Sequence, residues 1–374
     1  MSQRKIIPVA HPALNGNEKK YVLECLESGW ISSIGHYIGR FEESFARFCG
    51  AAHAVASNNG TTALHLALAA LGTGPGNEII VPTLTYIATA NAVRYCGAQP
   101  VFVDSETATM ALDPDLLEAA VSERTKGIIA VHLYGHPAHM RPILEVARKH
   151  NLFVIEDAAE AHGALYEGRP VGSLADAATF SFYGNKIIST GEGGMVTTSD
   201  AGLRDRLRLL RGQGMDPDRR YWFPIVGYNY RMTNICAAIG LAQLEQIDHF
   251  LERRRIIAST YQQCLAEVQD YIQLPSEQPW AKHAFWSYPI ILRDSVAMCR
   301  DELMKALEQD CIDSRPVFYP MHVLPPYSGA TGKYPVADRL ATRGICLPMH
   351  TLLTEDDIWH ISRRLAHWCK HSGA

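Results

Sequence analysis

Seven short apolar runs recur between Ala51 and Asp200, and they limit the possible folds of this chain more than any other feature. They are "HAVAS" (53–57), "EIIVP" (78–82), "PVFVD" (100–104), "GIIAVH" (127–132), "LFVIED" (152–157), "ATFSF" (178–182) and "GMVTT" (194–198). Several are continuously apolar rather than alternating, the pattern of strands covered on both faces. Segments of helical period lie between the earlier runs: "TTALHLALAALG", "MRPILEVARKH", and "DPDLLEAAV" with an Asp cap and Pro in its first turn. Strand–helix alternation of this kind predicts an α/β fold with a mostly parallel seven-stranded sheet and right-handed crossovers.

The last two runs break the rhythm. Only about a dozen residues separate "ATFSF" from "GMVTT", and no helical period fits between them. Ligand sites in open α/β sheets lie beyond the carboxyl ends of strands, near such irregularities. The intervening stretch puts Lys186 in a glycine-framed turn, five residues after Ser181. A turn lysine taken alone is usually a solvated charge, so its meaning depends on what else the sheet carries. After Gln246 the pattern changes to a long charged helix, "LEQIDHFLERRRIIASTYQQCLAEV", and then a Pro-rich mixture of strand and helix. A chain of 374 residues is long enough for two domains. The expected division is a large α/β domain over 1–245 and a smaller α+β domain over 246–374.

Bulk properties exclude several classes of function. The net charge is −4 with no run of Lys or Arg, which argues against a nucleic-acid surface. No apolar run approaches the roughly 18 residues needed to cross a bilayer, and the first sixteen residues hold too short an apolar stretch for a signal peptide. Nine scattered cysteines contain no C-x-x-C pair, so neither a disulfide framework nor a structural zinc site is indicated. The expected compartment is the cytoplasm.

Two further motifs join the lysine. In "SNNGTTALHLAL" a strand ends at Ser57 and a helix begins near Thr61, behind Asn58, Asn59 and Gly60. Free N–H groups and the helix dipole suit a phosphate there; a plainly capped helix start reads the same way. Neither a Walker loop nor G-x-G-x-x-G occurs in the chain. In "FVIEDAAEAHG" an apolar strand delivers Glu156 and Asp157 to its carboxyl end, followed by Glu160 and His162. A metal held by Asp157, Glu160 and His162 finds no complementary ligand spacing elsewhere, so no metal is expected. A lysine, a phosphate site and a strand-end carboxylate in one sheet match the needs of pyridoxal phosphate (PLP).

Five motifs in order, "NNGTTAL", "PTLTYIAT", "VIEDAAEAHG", "SFYGNKIISTGEGG" and "GYNYRMTNICAAIGLAQLEQID", carry a resemblance over nearly the whole chain. On these residues the sequence resembles the DegT/DnrJ/EryC1/StrS family of PLP-dependent sugar aminotransferases. The resemblance implies PLP-dependent transferase fold type I, the aspartate aminotransferase-like architecture. It implies that Lys186 bonds the cofactor, Asp157 pairs with the pyridine nitrogen and Tyr86 stacks on the ring. Gly60, Thr61, Thr62 and Ser181 then match phosphate donors. Asn229 matches a residue that reaches the phosphate of a neighbouring subunit, implying a homodimer with shared sites. Glu160 stands beside the ring hydroxyl, where many relatives have glutamine. A histidine in place of Lys186 would imply a dehydratase; lysine implies transamination, with L-glutamate as donor.

The acceptor is sought in two stretches. In "RGQGMDPDRRYWFPIVGYNYRM", Arg219 and Arg220 suit a pyrophosphate and Tyr221 and Trp222 a base, unless the stretch is an exposed loop with an aromatic anchor. "SRPVFYPMHVLPPY" adds Arg315, Tyr319 and His322, the last of which also suits a structural role. Arg231 fits either the donor carboxylate or an interface acid. Taken with the resemblance, these stretches imply a GDP-linked 4-keto-6-deoxy sugar as acceptor, destined for cell-surface polysaccharide. A UDP- or dTDP-linked keto sugar is the alternative, and a non-catalytic PLP-binding regulator a remote one.

Overall fold

The computed structural model describes residues 5–371. Its large sheet consists of β1 (His53–Ser57), β2 (Glu78–Pro82), β3 (Gln99–Val103), β4 (Thr125–Val131), β5 (Phe153–Asp157), β6 (Ala177–Ser181) and β7 (Gly194–Thr198). The spatial order is β1-β7-β6-β5-β4-β2-β3. The β2–β3, β2–β4, β4–β5 and β5–β6 pairs are parallel, whereas β7 runs antiparallel to both β6 and β1. The break read between the last two runs is therefore a reversal of strand direction, with Ser181 opposite Gly194 at its mouth.

The continuous apolar runs have a direct structural cause. Side chains of adjacent strand residues point to opposite faces, and both faces are covered. Ile80, Ile128, Val154 and Phe180 enter one core cluster, while their neighbours Ile79, Ile129 and Ile155 enter another. Two helices, α1 (Glu18–Ser28) and α2 (His36–Cys49), precede the sheet in the chain, and Phe41 and Phe45 of α2 complete the first cluster. The second is completed by α3 (Gly60–Ala70), buried along almost its whole length. A third cluster contains Tyr261, Tyr288, Ile290, Ile345, Leu347 and Ile361. It lies on a four-stranded sheet ordered Ile272–Gln273, Tyr288–Leu292, Gly344–Leu347, Arg315–Pro316. Ile7 joins this cluster from the other end of the chain and bridges to Ile312.

Two predicted helices come out differently. "DPDLLEAAV" forms only a 3-10 turn, Pro114–Leu116, and one helical turn, Leu117–Ala120, because Val121 already has extended backbone. Asp113 nevertheless caps as expected, accepting the Asp115 N–H at 3.0 Å. The long charged segment is divided: one helix, Asn234–Leu244, ends at its first residue, and a second, Ile247–Cys264, makes up its body. The turn between them is closed by Gln246 N–H to the Gln243 carbonyl.

One charge in that second helix is not on its solvated face. Arg254 is buried, and its Nη1 donates to the carbonyls of Phe285, Trp286 and Met349, each at 3.1 Å. Burial holds its guanidinium down to about 10. Arg254→Met would leave three carbonyls without this donor. Guanidinium chloride denaturation should show a loss of roughly 2–4 kcal/mol with an unchanged m-value.

Candidate active site

A cavity of about 540 Å³ opens where β5 and β6 end and α3 begins. Asp157, the last residue of β5, faces it. Its Oδ2 accepts from the Thr89 hydroxyl at 2.7 Å and its Oδ1 from the Ala159 N–H at 3.3 Å. Burial raises its carboxyl pKa, opposed by these bonds and by the charge of Lys186. Glu156, one residue earlier, points to the opposite face. There it accepts the N–H groups of Gly172 and Leu174, at 3.0 and 2.8 Å, and lies 3.0 Å from His132 Nε2. The Ala138 N–H donates to His132 Nδ1, so the ring hydrogen sits on Nε2 and bonds Glu156. Glu156 thus supports the scaffold while Asp157 serves the cleft.

Lys186 lies in the loop between β6 and β7, and its N–H donates to the Tyr183 carbonyl at 2.9 Å. The loop is pinned from outside by Trp286, whose indole N–H donates to the Asn185 carbonyl at 2.8 Å. The same ring lies 4.0 Å from Lys186 Nζ. Nζ is 3.5 Å from Glu160 Oε1, and the lysine side chain is only 12% exposed. Burial lowers the ammonium pKa; Glu160 and Asp157 oppose this and Arg315 adds to it.

At the other end of the cavity stands the N-terminus of α3. Asn59 caps it by accepting the Thr62 N–H at 2.9 Å, and the Thr62 hydroxyl donates to Asn58 Oδ1 at 2.6 Å. Thr62 is spent on this cap and does not line the cavity, whereas Gly60, Thr61 and Ser181 do. Ser181 Oγ accepts the Tyr183 N–H at 3.3 Å, which leaves its hydrogen to donate. A Cβ on Gly60 would sit 2.7 Å from Ser181 Cβ, so glycine is what lets α3 approach β6 this closely.

Aromatic side chains form the remaining wall. Tyr86 lines the cavity beside Phe318, with ring centroids 5.7 Å apart. Tyr134 stacks on Phe318 at 5.3 Å and lies parallel to Trp286 at 6.1 Å. Tyr134, Trp286, Phe318, Asn185 and Thr89 were not identified from the sequence. Tyr134 had a usable signal, because it follows β4 at the same strand-end level as Asp157. Trp286 had none, since it comes from a segment without a motif.

The remaining candidates are dispersed. Arg315 lines the cavity. Arg219 and Arg220 lie over the rings of Trp222 and Tyr221, at 4.2 and 4.9 Å, on an exposed loop away from it. Asn229 is exposed on the same stretch, and Arg231 Nε donates to Ser33 Oγ at 3.1 Å. The Tyr319 hydroxyl meets Arg300 Nη2 at 3.3 Å. His322 has both ring nitrogens engaged, by Thr83 Oγ1 at 2.8 Å and Asp338 Oδ1 at 2.9 Å. Its ring stacks on Tyr334, which is the packing of a structural histidine.

The donor set fits PLP. Helix N–H groups and a hydroxyl stand at one end for a phosphate, a buried carboxylate stands at the other, and a lysine of lowered basicity lies in the same cleft. Asn185 Oδ1 is buried beside it without a hydrogen-bond partner among the described residues. Fold and cleft together define a PLP-dependent aminotransferase. The DegT/DnrJ/EryC1/StrS aminotransferase family profile matches residues 12–366, and the chain belongs to that family. It is 57% identical to GDP-perosamine synthase of Caulobacter vibrioides over 359 residues, 96% of this chain and 97% of that protein. It is 50% identical to GDP-perosamine synthase of Escherichia coli O157:H7, over 96% and 97% of the two chains. Among solved structures, S. venezuelae DesV in complex with a ketimine intermediate superimposes with a TM-score of 0.90 at 36% identity, covering 95% of each chain. Helicobacter pylori PseC, an aminotransferase of pseudoaminic acid biosynthesis, gives 0.93 at 28% identity over 98% and 100%. No helix among the described residues is long and apolar enough to cross a membrane.

Gly60→Ala tests the close approach of α3 to β6. Forcing the two apart should cost about 1–3 kcal/mol of stability. The affinity for PLP, measured by titration of the visible absorption, should fall with it.

Proposed function

We propose that this enzyme transfers the amino group of L-glutamate to C4 of GDP-4-keto-6-deoxymannose, giving GDP-perosamine and 2-oxoglutarate. The observation that carries the reaction type is the meeting of Lys186, Asp157 and the α3 N-terminus in one cleft. Identity of 57% and 50% to two proteins named GDP-perosamine synthase supports the sugar.

Bound PLP supplies an aldehyde carbon that takes up amines and a conjugated ring that accepts the electrons of a breaking bond. Gly60, Thr61 and Ser181 would hold its phosphate, Tyr86 would cover its ring, and Asp157 would face its ring nitrogen. Lys186 would hold its aldehyde end in the same cleft. The Lys186 amine would also take up the proton from the donor Cα and carry it at Nζ. Acid–base help of this kind is worth roughly 10²–10⁴ in rate. Burial lowers the basicity of Nζ and so eases the loss of its proton. Arg315, the arginine lining the cavity, holds anionic groups of donor or acceptor.

The segment around Tyr221 and Trp222, 72% and 51% exposed, continues to Val226 at 91%. So much apolar surface on one loop suits burial against a second copy, with Asn229 reaching the partner's phosphate and Arg219 and Arg220 placed near the acceptor nucleotide. Sedimentation velocity should give a dimer, and Val226→Glu should shift it toward monomer.

Absorption spectra of the PLP-loaded protein test the reaction directly. The bound-cofactor band should fall on adding L-glutamate and return on adding GDP-4-keto-6-deoxymannose. A fall without return would move the search to other nucleotide sugars, and no change with glutamate would refute aminotransfer. Lys186→Ala should abolish turnover. Asp157→Asn should cut kcat severely while leaving the fold intact by circular dichroism.

A further inference from the structure

Two buried carboxyls, Asp157 and Glu160, face the single ammonium of Lys186, and their surroundings differ. Asp157 receives a hydroxyl and a backbone N–H, one on each oxygen. Glu160 receives one backbone donor: the Tyr134 N–H reaches Oε2 at 2.8 Å. The other oxygen, Oε1, has Lys186 Nζ as its neighbour at 3.5 Å. A charge-assisted N–H···O contact closes to about 2.7–2.9 Å when both partners are ionised and free to approach. Here Glu160 is buried, the Lys186 side chain is 12% exposed, and the contact stays at 3.5 Å. Of the two, the carboxyl with fewer donors is the one expected to stay neutral.

We propose that Glu160 works as a carboxylic acid, carrying its proton on Oε1 and presenting it to the cleft as a hydrogen-bond donor for an anionic oxygen of the bound cofactor. The inference deepens the PLP reading and rests on it for the identity of the acceptor. Oε2 accepts from the Tyr134 N–H, which makes Oε1 the favoured seat of the proton. Glu160 then presents a neutral donor on the same atom where a glutamine amide would.

The other groups facing Glu160 and Lys186 do not compete for that proton near neutrality. Burial pushes the Tyr134 phenol well up and the Cys346 thiol up to about 12, so both stay protonated. His162 is pushed down to about 3 by burial and stays neutral. Arg315 faces Lys186 rather than Glu160, and Asp157 has the donors that favour its ionised form. Burial raises the Glu160 carboxyl to about 7, with Lys186 opposing. The proton is therefore held below that pH and lost above it.

Difference infrared spectra of the cofactor-free protein, wild type against Glu160→Gln, read this proton directly. A protonated-carboxyl C=O band should be present in the wild type, absent in the variant, and lost as pH rises through about 7. A carboxylate signal alone on the acid side of neutrality would overturn the proposal. This measurement needs no cofactor, so it stands whether or not the PLP reading does. PLP affinity against pH gives the second test. Above the Glu160 pKa the wild type loses a donor and gains a charge, while glutamine keeps its donor. The ratio of wild-type to Glu160→Gln affinity should therefore fall up to tenfold per pH unit on the alkaline side. Parallel profiles would mean that Glu160 only positions Tyr134, and would overturn the proposal.

Discussion

Holding an ammonium and two carboxyls together at the largely buried floor of a cleft is expensive, and the architecture around Lys186 is organised by that cost. Each charge has partners from a different element. Asp157 draws on Thr89 and the turn after β5. Glu160 draws on the turn after β4, where Tyr134 takes a left-handed backbone with φ of 56°. Lys186 rests on the Trp286 ring, supplied by a distant part of the chain. Apart from the Ala159 N–H on Asp157, none of these supports is local to the residue it serves. The cluster therefore exists only once the whole sheet is in register.

The reversal at β7 makes room for it. Had the chain continued its parallel winding after β6, a crossover helix would have occupied the space of the Lys186 loop. Turning back instead leaves an irregular loop at the carboxyl end of β6, facing the Asp157 end of β5. The close fit of Gly60 against Ser181 brings the α3 N-terminus to the same place. Lysine, carboxylate and helix N-terminus thus meet through three separate connections of a single sheet.

Much of this was legible in the sequence, for physical reasons. Strands buried on both faces leave continuous apolar runs, and β1, β2 and β7 match "HAVAS", "EIIVP" and "GMVTT" residue for residue. Residues at strand ends, such as Asp157, announce themselves because a charge ends an apolar run. Residues placed by tertiary contact leave no such trace. Trp286 reaches the cleft through a carbonyl of the lysine loop, and the engagement of both His322 nitrogens depends on Thr83 and Asp338, far apart in sequence. Arg254 was hidden for the opposite reason: in "LERRR" it looks like one more solvated charge, yet it is buried.

That arginine has a mechanical consequence. Its guanidinium grips the backbone of Phe285 and Trp286 from helix Ile247–Cys264, while the Trp286 side chain grips the lysine loop through Asn185. Helix, tryptophan and loop are thereby linked by hydrogen bonds from the guanidinium to the backbone next to Lys186. A displacement of that helix is passed to the loop that carries the reactive amine. The long charged helix, remote in sequence from every motif of the cleft, is in this sense the lever on which the lysine is mounted.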